Sequence, residues 1–222
     1  MREEVFLPLD MTRSSVHIGP RLERYQAIRY GEDGLPLPFY DFDHPGGSAV
    51  YSSAHDLVRF GMFHLKAHLP KQRAILSDET IDEMQLPCPP LKKYGIGWFI
   101  NDNDRGFRNV GHGGGMPGVS TLLTLIPAQK LAVVALCNTQ SQSLHHEVTE
   151  EILSVMLPEY AKNRELEAQR KQAQAQEPAP GFRPTPELIG KWRGSVHTHK
   201  REIPLALWFL ESGDVHGQLG DQ

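Results

Sequence analysis

Apolar positions along the chain fall into stretches with different periods. After Ser53-Ala54-His55-Asp56, the residues Leu57, Phe60, Gly61 and Leu65 recur at the spacing of one helix face. The Ser-x-x-Asp start fits a capping box with Asp in the usual Glu place, so Asp56 is read as a cap rather than an acid catalyst. Ser77 predicts a second helix start. Asp78 and Glu79 occupy its first turn, where the helix dipole favours negative charge. Ile81 and Met84 mark its apolar side, and Pro87, Pro89 and Pro90 end it. From Tyr94 the pattern becomes strand-like: residues 94–100 are aromatic and β-branched, with Gly95 and Gly97 allowing another backbone to approach. Residues 119–126 and 131–136 predict a hairpin around Pro127-Ala128-Gln129-Lys130, its second strand apolar throughout, as in a strand covered on both faces. Ser143 then predicts the start of a helix carrying Leu144, Val148, Ile152 and Met156.

The remaining stretches lack such periods. Residues 1–12 read as the tail of a helix running into a turn. Residues 13–45 are rich in Gly, Pro and aromatics, long for a loop and therefore expected to be functional or to wrap a surface, with room for a short hairpin at 25–30 before the turn at 31–34. Residues 160–176 carry almost no apolar stripe and read as a solvated helix or linker. Pro178, Pro180, Pro184 and Pro186 mark a boundary. Beyond it Trp192, residues 204–209 and a Gly-Asp turn read as the first strands of a small β domain that stops incomplete at Gln222; two or three strands alone are marginally stable. The expected division is 1–157 as the main domain, 158–186 as a charged helical and Pro-rich linker, and 187–222 as the start of the β domain.

Composition narrows the function classes. The chain has 222 residues, 39% apolar and 23% charged, with net charge -4. That is ordinary globular usage, without the basic face that nucleic-acid binding needs. No apolar run approaches the roughly 20 residues of a membrane span, and Met1-Arg2-Glu3-Glu4 does not open a signal peptide. Of the two cysteines, Cys137 ends an apolar run and reads as a buried free thiol; no disulfide with Cys88 is argued. The 11 histidines raise metal binding. However, His145-His146 are adjacent, His197 and His199 have no carboxylate or Cys cluster beside them, and His64 and His68 do not match His-Glu-x-x-His. Neither a metal nor a cofactor is expected. Ser120 belongs to half of a Gly-x-Ser-x-Gly elbow with a strand after it, so it reads as a strand residue.

The densest signal is Gly111-His112-Gly113-Gly114-Gly115-Met116-Pro117-Gly118, with five glycines in eight residues. A bare backbone N–H aimed at a developing oxyanion contributes about 3–4 kcal/mol to a transition state. The same run also reads as a tight turn entering the 119–126 strand, and the residues alone leave both readings open.

Four segments in order carry a resemblance: Pro8-Leu9-Asp10-Met11-Thr12; Gly46-Gly47 through Ser52-Ser53-Ala54-His55-Asp56-Leu57; Tyr94-Gly95-Ile96-Gly97-Trp98; and Gly111-His112-Gly113-Gly114 through Pro127 and Asn138. Over residues 1–157 the chain resembles the C-terminal half of the β-lactamase-related serine hydrolases, which include class C β-lactamases, D-alanyl-D-alanine carboxypeptidases and many esterases. The resemblance implies an α+β fold, an antiparallel sheet flanked by helices of β-lactamase/transpeptidase type, here truncated and followed by the small β domain. It implies acyl transfer through a serine ester, on small-molecule ester, amide or peptide substrates, using three motifs: Ser-x-x-Lys, Tyr-x-Asn, and Lys-Thr-Gly or His-x-Gly.

Only the third occurs. His112-Gly113-Gly114 matches it, while no serine of the sequence has Lys three places on and no tyrosine has Asn two places on. By the resemblance, His112 faces the substrate from the sheet edge where other members place Lys, Gly113 and Gly114 line the substrate strand, and Gly115 gives its N–H to the oxyanion hole. Gly46 and Gly47 shape a nearby loop. An imidazole, mostly neutral above about pH 6.5, binds a substrate carboxylate less well than an ammonium, so an esterase- or peptidase-like parent is expected rather than a dedicated β-lactamase. The expectation is a fragment inactive alone; the alternative is a non-catalytic binding or scaffold relative. Family members are often exported, and this sequence leaves the compartment open. Losing part of the sheet would expose apolar strand edges and drive self-association.

Overall fold

The computed structural model describes residues 1–43, 47–48, 50–141, 143–176 and 182–220. By its internal contacts the chain divides into two compact units, Met1–Glu167 and Ala168–Gln222.

In the first unit, strands β1 (Phe99–Asp104), β2 (Phe107–Met116), β3 (Val119–Ile126) and β4 (Leu131–Cys137) form an antiparallel sheet in that order. The β3–β4 hairpin lies where the apolar pattern put it, its Pro127–Gln129 turn closed by Lys130 in the left-handed region (φ 51). The other two strands depart from the reading. Residues 94–98 form a turn, and β1 starts at Phe99. The reason is local: Gly95 sits so close under the carbonyl oxygens of Met84 and Leu86 that a Cβ would overlap both, and Gly97 has φ +77. The close approach expected there occurs, but it bends the chain. The glycine run is not a turn either. It extends β2, and the turn is confined to Pro117-Gly118.

Helix α1 (Ala54–His64) packs on one face of the sheet, where Leu65, Trp98, Ile100, Val110, Leu123 and Leu125 are buried. Each such side chain contributes about 1.5–3 kcal/mol. Its other side, through Phe63, meets Phe6, Leu9, Met11 and Ile81, so α2 (Asp78–Met84) and the first eleven residues close a second core. The helical start at residues 2–6 is a single π turn, left through Asp10 at φ 57. Ser77 caps α2 as expected, its hydroxyl accepting from the Thr80 N–H at 3.2 Å. Cations meet the carbonyl ends of these helices: Lys130 donates to the Leu65 carbonyl and Arg108 to that of Gln85, as the dipole favours.

Helix α3 (Leu144–Met156) covers the opposite face, with Leu153 against Ile126, Val133 and Tyr160. The stripe Leu144, Val148, Ile152 and Met156 faces outward; the buried side is Thr149 and Leu153. Ser143 makes no side-chain cap; Ser141 Oγ accepts the Leu144 N–H at 3.0 Å instead. Helix α4 (Pro158–Gln176) realises the expected polar helix. The β1–β2 turn is tied to α3 and α4 by Arg105, which pairs with Glu150 at 2.9 Å and Glu167 at 3.1 Å and donates to the Tyr160 hydroxyl. Burial and the Asp104 carboxylate push the Tyr160 phenol up to about 12.

Residues 13–43 are irregular as expected, but the short hairpin reduces to one bridge between Tyr30 and Pro36, and Glu23–Tyr25 is a single helical turn. In the second unit β5 (Gly190–His197), β6 (Glu202–Phe209) and β7 (Val215–Leu219) form a three-stranded antiparallel sheet. Both cysteines are free, Cys137 half-buried rather than buried. No helix among the described residues is long and apolar enough to cross a membrane.

Candidate active site

The β2–β3 hairpin organises the site. Its register pairs Met116 with Val119, Gly115 with Ser120, Gly114 with Thr121 and His112 with Leu123. A two-residue turn makes its flanking pair a hydrogen-bonded one, and bonding alternates along an antiparallel ladder. The backbone groups of Met116, Gly114 and His112 therefore point at β3, and those of Gly115 and Gly113 point away. Two contacts agree: the Thr121 hydroxyl reaches the Gly114 carbonyl at 3.3 Å, and the Gly113 carbonyl meets the His112 ring. The β1 register ends at Phe99–Gly111, so among the described residues no strand of the first sheet covers the outward groups beyond Gly111. The N–H of Gly115 thus stands on an open strand edge.

A strap holds the hairpin tip. Gly118 has φ +71 and lies against Arg29, Tyr30 and Leu37, with no room for a Cβ. The Tyr40 hydroxyl donates to the Pro117 carbonyl. The Tyr30 N–H donates to the Asn138 carbonyl at 3.0 Å and the Asn138 amide to that of Ile28 at 2.9 Å. Arg29, almost fully buried, stacks 4.2 Å over the Tyr40 ring. This is the surface-wrapping role expected of the long loop.

Side chains at alternate positions share a face, so His112, Gly114, Met116, Thr121 and Leu136 lie on the α1 side. There they line an open groove of about 1250 Å³ that continues past Ser52, Ser53 and Tyr51 at the start of α1. Burial and the Asp41 carboxylate push the Tyr51 phenol up. The structure brings His112, Gly113 and Gly114 to this groove and places Gly115 next to them on the strand. His112 holds two partners: Nδ1 is 2.7 Å from the Gly113 carbonyl oxygen and Nε2 3.1 Å from the Tyr94 hydroxyl.

Other residues singled out by sequence go elsewhere. Asp56 is not the reciprocal arm of a capping box. Ser53 caps α1 by accepting the Asp56 N–H at 3.2 Å, but the buried Asp56 carboxylate accepts the Arg13 N–H at 2.7 Å and the Ser14 hydroxyl at 2.8 Å. An Asp side chain in the first turn is short and was drawn to the buried donors of the incoming loop. Gly47 is an exposed turn residue, and Gly46 lies outside the described residues. Ser120 is a buried strand residue whose hydroxyl donates to the Ser141 carbonyl at 3.0 Å and accepts its N–H at 2.8 Å. His64 is buried beside Trp98, and burial lowers it to about 4. His68 pairs with Asp78 at 2.9 Å. Among the described residues no group of three His, Cys, Asp or Glu side chains could hold a metal. The sequence reading missed the roles of Tyr94, Arg29 and Tyr40. Only Tyr94 carried a signal, as part of Tyr94-Gly95-Ile96-Gly97-Trp98.

Comparison with known proteins supports the family and the fold. The Beta-lactamase family model matches residues 1–156. No curated protein matches. Among solved structures, the octameric penicillin-binding protein homologue from Pyrococcus abyssi is similar with TM-score 0.58 and 19% identity, over 98% of this chain and 49% of its own. The beta-lactamase/D-alanine carboxypeptidase from Pseudomonas syringae gives 0.56 and 16%, over 69% and 52%. A class C beta lactamase from Rhodobacter sphaeroides gives 0.55 and 14%, over 70% and 53%. The chain spans about half the length of each of these structures.

Proposed function

This chain belongs to the beta-lactamase family, and from that premise we propose that it forms the substrate-strand wall of a serine acyl hydrolase and does not turn over substrate by itself. The observation that carries the reading is the open edge of β2 beside the groove. Gly115 presents a backbone N–H there, with His112, Gly113 and Gly114 beside it. In acyl transfer such a donor stabilises the charge that develops on the carbonyl oxygen of a tetrahedral intermediate. The second requirement, an activated hydroxyl, is not met by the described serines bound into the start of α1. Ser14, Ser52 and Ser53 direct their hydroxyls into the Asp56 network, and the sequence has no Ser-x-x-Lys. The nucleophile then comes from residues other than these 222, and the groove is where they would seat. The substrates are small esters, amides or peptides.

Fluorophosphonate and penicillin probes test the reading. The 222-residue chain is expected to take up neither. A polypeptide joining it to a segment that bears Ser-x-x-Lys and Tyr-x-Asn is expected to be acylated on that serine. Covalent labelling of the chain alone would sink the first half of the proposal, and an inert joined polypeptide the second.

A further inference from the structure

The ring of His112 is fixed from both sides. A carbonyl oxygen only accepts, so the 2.7 Å contact with Gly113 requires a hydrogen on Nδ1. A phenol hydroxyl both donates and accepts, so Tyr94 satisfies Nε2 whether that nitrogen is bare or protonated. Phe99 lies 5.1 Å from the His112 ring and 4.8 Å from that of Tyr94. Tyr94 itself has little freedom. Its carbonyl accepts the Cys88 N–H at 2.8 Å, the next residue donates to the Trp98 carbonyl at 2.8 Å, and Gly95 is wedged under the carbonyls of Met84 and Leu86.

We propose that Tyr94 is a positioning residue that, with the Gly113 carbonyl, occupies both nitrogens of His112, so that the strand edge leaves neither nitrogen free for a substrate carboxylate and the site takes acyl substrates uncharged at that position. The substrate half of this statement rests on the hydrolase reading; the state of the ring does not. A lysine ammonium at the same place would bring three rotatable donors on a flexible stem. Here a substrate carboxylate would have to break one of two existing hydrogen bonds to reach either nitrogen. Tyr94 thereby sets specificity without touching substrate.

The test is long-range ¹H–¹⁵N correlation of the imidazole nitrogens in the labelled 222-residue chain, at mildly alkaline pH, with His112→Gln identifying the signals. His112 is expected as the Nδ1–H tautomer alone, and sodium acetate is expected to leave its signals in place. In Tyr94→Phe the Nε2 signal should move to that of a free acceptor, a second tautomer should appear, and acetate should now shift both. Mixed tautomers in the unaltered chain, an acetate-induced shift there, or an Nε2 signal indifferent to Tyr94→Phe would each overturn the proposal. If Tyr94→Phe loses its dispersed amide spectrum, the unaltered chain decides alone. Failure to restore hydrolysis in the joined polypeptide would leave these spectra as they are, so the two readings fail separately.

Discussion

A Cβ on Gly115 would meet nothing within 4 Å, so Gly115→Ala is expected to leave both fold and activity of the joined hydrolase nearly unchanged. Gly115→Pro removes the N–H, and an edge position with its N–H facing outward tolerates proline. Turnover is then expected to fall by about 10²–10³-fold with little change in KM. Equal loss in the Ala and Pro variants would show that Gly115 serves packing alone. His64 makes a different point about single residues. Its folded value near 4 lies below the ordinary 6.5. As pH falls below about 6.5 the unfolded chain takes up a proton that the folded chain refuses until about 4. The stability present at pH 7 is therefore lost across that window, roughly 3 kcal/mol in all. Urea midpoints measured on either side of the window should show this loss. They should show much less of it in His64→Phe, which keeps a ring beside Phe60 and Trp98. Parallel pH profiles for the two proteins would contradict the assignment.

Between residues and elements stands the junction of α1 with the loop before it. Ser53→Ala removes one cap hydrogen bond and is expected to cost about 1 kcal/mol. Asp56→Ala leaves the Arg13 N–H and the buried Ser14 hydroxyl without their acceptor and is expected to cost roughly 2–4 kcal/mol. Chemical denaturation ranks the two, and the reverse order would rule out the buried-carboxylate role. This junction also shows how far sequence can be read. The caps at Ser53 and Ser77 and the apolar strands β3 and β4 were legible because their signal is local. Strand β2 was not, since Gly111, Gly113, Gly114 and Gly115 have no side chains to alternate, and pairing with β3 alone makes them a strand. The outward stripe of α3 misleads for the opposite reason: Leu144, Val148, Ile152 and Met156 have helical spacing, yet Thr149 and Leu153 win the sheet face. The partners of Asp56 and Arg105 lie some 40 to 60 positions away in sequence, beyond the reach of any periodicity. Of the candidate site, His112 and its glycines were singled out through resemblance, and Tyr94 only within the segment Tyr94-Gly95-Ile96-Gly97-Trp98.

In the molecule as a whole, the second unit carries large apolar side chains with high exposure. In β5–β7 the register puts Trp192, Val196, Ile203, Leu205, Leu207, Phe209, Val215 and Leu219 on one face, and Trp192 and Leu219 are 49% and 57% exposed. Three strands alone are marginally stable, and a patch of this kind promotes association. The chain is expected to sediment as oligomers, and Trp192→Lys with Leu219→Lys should shift it toward a monomer. A single sharp monomer boundary for the unaltered protein would count against this.

The strap across the hairpin tip has a consequence for how the protein is made. Tyr40 meets Pro117 across 77 positions, and Ile28 meets Asn138 across 110. During synthesis the strap leaves the ribosome long before the strands it fastens exist. Contacts of such separation slow folding, so the newborn chain spends that interval with Arg29 and its neighbouring rings awaiting a surface, a period in which a chaperone would find them.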